Sequence, residues 1–147
     1  PHPGYTISPP TSGPFWYDID RPVPGVGVTS PAPWGEYDTQ LPNEILVANL
    51  LHGGIGLHFD CARYNIEATD NKTREESCQQ LKEFLSSLIP PSASQYLMTP
   101  YSAQDEYPIM ITGWRHHLKL IEINEEKIIE FIRAYQDRAP LTTLRGN

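Results

Sequence analysis

Long apolar runs are missing from this 147-residue chain, and no stretch approaches the ~18 residues of a bilayer-spanning helix. No transmembrane segment is therefore expected. Positive charge is also scarce: 11 Lys and Arg stand against 18 Asp and Glu, a formal charge of −7. That balance counts against a general nucleic-acid binder, which would show a basic face, and no nucleic-acid partner is expected. Two cysteines make at most one bridge, so the chain is no disulfide knot. The motifs of common catalytic chemistry are absent too. There is no Gly-x-Ser-x-Gly elbow, no Cys-x-x-Cys pair and no glycine-rich loop opening a helix, since Gly53-Gly54 follow one. A non-enzymatic protein with no catalytic residues is expected. The length suits one domain with a core, and no internal repeat divides it.

Proline is what the chain has in excess, and ten of the 15 prolines fall before position 43. Each fixes φ and removes a backbone donor, which prevents helix and central strand and favours extended, polyproline-like geometry. Yet Phe15, Trp16, Tyr17, Val23, Val26, Val28, Trp34 and Tyr37 give the same segment large apolar groups that need burial. A stiff, extended, aromatic segment is suited to lying along another surface. Residues 1–42 are accordingly expected to be a docking arm, with Tyr5, Pro9, Pro10, Pro14, Phe15 and Trp16 as its assembly residues. The opening Pro1-His2-Pro3, without an initiator Met, reads as a processed and exported chain, extracellular or at the cell surface. Cys61 and Cys78 fit an oxidising compartment as one disulfide, worth roughly 3 kcal/mol by loop closure. Two free thiols in a reducing cytosol are the alternative.

Residues 43–147 read as the compact body. Asn43 is placed to cap a helix over 44–51 that is apolar on more than one side. Ile55 to Phe59 alternates as a strand, with His58 facing away from Leu57 and Phe59 and expected, like His116 and His117, to be solvated. A helix follows over about 73–88, with Leu81, Phe84, Leu85 and Leu88 at helical spacing. Residues 96–99 read as a strand, 108–114 and 115–123 as a hairpin, and Asn124 caps a last helix striped by Ile128, Ile129, Ile132 and Tyr135. The fold class is α+β: a small, mostly antiparallel sheet with two main helices on one face, preceded by the proline-rich arm.

Three motifs in order carry a family resemblance. They are His2-Pro3-Gly4-Tyr5 with Pro9-Pro10-Thr11-Ser12-Gly13-Pro14; Trp34-Gly35-Glu36-Tyr37-Asp38 with Asn49-Leu50-Leu51-His52-Gly53-Gly54; and Ile111-Thr112-Gly113-Trp114 with the closing helix. Together they resemble domain-of-unknown-function family 3105, an exported or membrane-tethered prokaryotic domain, over nearly the whole chain. The family pattern implies clustered histidines beside a carboxylate, an arrangement suited to a transition metal. His2 and His52 match it, whereas Phe15, Ala48 and Leu51 stand where the family has His, His and Glu.

Two functions are expected from these residues. The first is a self-assembling structural subunit whose arm packs head-to-tail on a copy of itself, forming an oligomer or filament. The second is a monomeric extracytoplasmic copper protein. His2, His52 and Met98 would be its ligands, two imidazoles and a thioether being a set that favours copper over calcium or magnesium. Copper at the junction joins the two. For His52 the competing role is to satisfy the last helix carbonyls.

Overall fold

The computed structural model describes residues 5–65, 67–91 and 95–141. Five strands and three helices follow in the order β1 (Gly35–Glu36), α1 (Asn43–Leu51), β2 (Ile55–Phe59), α2 (Asn71–Ser87), β3 (Tyr96–Pro100), β4 (Ile109–Gly113), β5 (His116–Leu120) and α3 (Glu125–Tyr135). The α+β class holds. The sheet, of order β1-β3-β2-β4-β5, is mixed rather than mostly antiparallel. β3 runs parallel to both β1 and β2, while β4 is antiparallel to β2 and β5. The connections explain the difference. A strand returning through a helix lies parallel to its predecessor, whereas the two-residue link from β4 to β5 reverses the chain.

Local chemistry sets the helix ends. Asp70 accepts from the backbone N–H of Lys72 and Thr73, so α2 starts two residues earlier than its apolar stripe predicts. Asn124 caps α3 through Lys127 N–H at 3.1 Å, with Glu125 and Glu126 in the first turn and Arg133 in the last complementing the helix dipole. α1 departs from expectation: Pro42 occupies the cap position with no side-chain bond, and Asn43 instead accepts from the Tyr101 hydroxyl at 2.7 Å.

Two cores lie on opposite faces of the sheet. Ile55, Leu57, Phe59, Met98, Ile109 and Ile111 point to α2 and α3, meeting Cys78, Leu81, Leu85, Ile128, Phe131 and Ile132. On the other face Leu97, Tyr101 and Met110 meet Ile45 and Leu46 of α1 together with Ala32, Leu41, Val23, Val28 and Trp34. The two main helices thus share one face as expected, while α1 and the proline-rich segment cover the other. Every residue of α1 from Ile45 to Leu51 is buried, because the helix lies between sheet and segment and needs no polar side. Gly54 makes the segment's fit possible: a Cβ there would stand 2.5 Å from the Trp34 ring.

Candidate functional site

The prolines deny the N-terminal segment a continuous ladder, so side chains and isolated backbone bonds fasten it. Asn49, buried in α1, grips Ala32 with both ends of its amide, Oδ1 accepting from the Ala32 N–H at 2.8 Å and Nδ2 donating to its carbonyl at 2.9 Å. Asp18 and Ser30 exchange backbone bonds of 2.7 and 3.1 Å, closing a loop over 18–30. The Ser30 hydroxyl donates to the Trp16 carbonyl at 2.6 Å, and the Trp16 N–H reaches the Glu44 carbonyl at 3.3 Å. Tyr37 N–H donates to Met98 O beside β1. Nearer the terminus, Pro9 and Pro10 are buried, and the Tyr5 hydroxyl donates to the Pro14 carbonyl at 2.6 Å. Burial, with Glu44 nearby, pushes the Tyr5 phenol up to about 12.

This fastening leaves one stretch facing out. Phe15, Trp16, Tyr17 and Ile19 are 43, 41, 60 and 58% exposed, and Ile121 is the other large exposed hydrophobic side chain among the described residues. The Tyr17 ring lies over His52, centroids 6.5 Å apart and planes 14° apart. His52 follows α1, its Nδ1 2.9 Å from the Ala48 carbonyl. A carbonyl only accepts, so Nδ1 carries a proton, and in the neutral ring Nε2 holds the lone pair. The capping role expected as the alternative for His52 is therefore present in the structure, and it leaves one ring nitrogen to a ligand.

The expected ligands are placed as follows. Met98 is buried on β3 among the side chains facing α2 and α3, whereas His52 ends α1 on the opposite face of the sheet. The structure does not bring these two together. His2 lies outside the described residues, among which no three of His, Cys, Asp and Glu gather as a metal-holding group. Cys61 and Cys78 are joined as a disulfide, the state of an oxidising compartment. Among the described residues no helix is long and apolar enough to cross a membrane.

Two features were not legible in the sequence. His58 is fully buried rather than solvated, with Nδ1 2.7 Å from Thr99 Oγ1 and Nε2 3.4 Å from Thr112 Oγ1. A neutral ring donates at one nitrogen and accepts at the other, and two hydroxyls can match either assignment. Desolvation holds its pKa at about 3. Gly56 gives the ring its room, since a Cβ there would collide with Thr112 and His58. The other feature is a groove of about 1150 Å³ at the carboxyl ends of β1, β2 and β3, bounded by α2. Ligand crevices of open α/β sheets lie at that end of parallel strands. The signal available in the sequence, the helical crossover between β2 and β3, implies this parallel pairing.

The model of a family described as "Protein of unknown function (DUF3105)" matches residues 4–145, the family that the three motifs resemble. No curated protein and no solved structure matches the chain.

Proposed function

We propose, for a chain that belongs to the DUF3105 family, a non-enzymatic extracellular or cell-surface subunit that self-assembles head-to-tail through its N-terminal segment. The carrying observation is the run Phe15, Trp16, Tyr17 and Ile19, exposed on a backbone that Trp16 and Ser30 fasten to α1. Contiguous exposed apolar groups on a soluble fold mark an interaction surface, and aromatic residues dominate interface cores. Fastening matters because a fixed segment loses little conformational entropy on docking. When the run of one copy meets a different surface on the next, the contact is heterologous and grows into a filament unless its rotation closes. The disulfide supports the oxidising setting.

Copper belongs to this reading as an accessory at the junction. The observation favouring it is His52 Nε2, left without the helix carbonyl that engages Nδ1, on a half-buried ring beside Tyr17, with His2 as the residue expected to join it. Light scattering on the parent, on Trp16→Ser/Tyr17→Ser and on His52→Ala tests both parts. The parent should gain mass with concentration, the aromatic variant should stay monomeric, and added copper should enlarge the parent but not His52→Ala. An aromatic variant that assembles like the parent would sink the assembly reading; equal copper responses would remove the metal from it.

A further inference from the structure

The sheet has two unlike poles. At one, the lining of the groove includes the buried Phe59, Met98 and Tyr101, and Glu36, Asp38 and Glu83 bring carboxylates to it. Lys82 is the sole Lys or Arg among its lining residues, and its ammonium is drawn to the Phe59 ring, 5.7 Å from the centroid. The groove therefore joins apolar side chains to carboxylates.

At the other pole β4 turns into β5 through Trp114 and Arg115 alone, closed by the pair Gly113 and His116. β4 is antiparallel to β2, so this turn points away from the groove, with five-residue strands of about 17 Å between them. The turn is a firm knob. Thr11 O accepts from the Arg115 N–H at 2.9 Å, the Arg115 guanidinium sits 5.9 Å from the Trp114 ring centroid, and the His116 ring stacks on Tyr135 at 3.9 Å. Arg115, His116 and His117 are exposed, and no carboxylate lies in the turn. His52, stacked by Tyr17, lies just ahead of β2, so the aromatic run and the knob share this pole.

We propose that the groove receives the Trp114–Arg115 turn of a second copy, the indole meeting its apolar lining and the guanidinium entering among Glu36, Asp38 and Glu83. This rests on the self-association reading and names its complementary surfaces. A copy of the same chain is the occupant because knob and groove match in charge and apolar content yet face opposite ways. One molecule cannot bury its own turn in its own groove. A chain of charge −7 repels itself, and setting an exposed cation against carboxylates relieves that repulsion where copies meet.

The test is a charge exchange followed by light scattering at low salt. Arg115→Glu alone, and Asp38→Lys/Glu83→Lys alone, should each raise the concentration needed for assembly by more than about tenfold, because like charges then face each other. Mixed in equal amounts, the two variants should assemble like the parent, since each turn now finds an opposite groove. Misfolded variants would not restore one another. A parent that associates while Arg115→Glu associates equally well, or crippled variants that fail to rescue each other, would overturn the turn-and-groove contact and leave self-association standing. A parent that is monomeric throughout would overturn both.

Discussion

At the scale of single residues, two buried polar side chains set the conditions of stability. His58 takes up a proton below about 6.5 when unfolded but only near 3 when folded. The unfolded chain thus binds more protons across that window, and stability must fall as pH drops through it. The expected slope is about 1.4 kcal/mol per pH unit beyond that of His58→Gln, read from denaturant unfolding at several pH values. Parallel curves for parent and variant would refute the burial cost. Asn49 acts on the N-terminal segment: Asn49→Ala orphans the buried N–H and C=O of Ala32, at roughly 1–3 kcal/mol for each group. The same unfolding measurement should show that loss, and a change below about 0.5 kcal/mol, the level of an ordinary surface substitution, would speak against the clamp. Alternation did place His58 opposite Leu57 and Phe59. What alternation could not give was the cover over that face, because α1 and the proline-rich segment close it only in three dimensions.

At the scale of elements, the helices and the β4–β5 hairpin were legible, and the long-range parallel pairings were missed. The stripes of α2 and α3 repeat at 3.6 residues and are buried at Cys78, Leu81, Leu85, Ile128 and Ile132. β1 has two residues, too few for any period, and exists because Gly35 and Glu36 lie beside Leu97 and Met98. Its parallel pairing with β3 depends on a partner some sixty residues later, which no local pattern encodes. His52 and Met98, two of the candidate metal ligands, failed to converge for a related reason. Residue type marked both His52 and Met98, but the sheet, not the sequence spacing, decides which face each occupies. The disulfide was legible from an even cysteine count flanking a polar stretch, and it ties the turn after β2 to α2. Cys61→Ser/Cys78→Ser should lower the unfolding free energy by about 3 kcal/mol, measured by denaturant titration. A loss well under 1 kcal/mol would mean that the loop needs no closure.

At the scale of the whole molecule, polarity of the sheet organises the surface. The carboxyl ends of three parallel strands form an acidic groove, while the opposite end carries the Trp114–Arg115 turn and, beside His52, the aromatic run. Under the proposed self-assembly, two ends that differ in this way would make contacts that repeat rather than pair symmetrically. Proline excess, which in composition alone suggests a linker, here serves a segment that lies on α1 and turns Phe15, Trp16, Tyr17 and Ile19 outward. Self-association is the claim on which the rest depends. Its most direct test is the mass of the parent protein by multi-angle light scattering across a dilution series. Self-assembly predicts a mass above the 16.6 kDa monomer that rises with concentration, and 16.6 kDa at every concentration would contradict it.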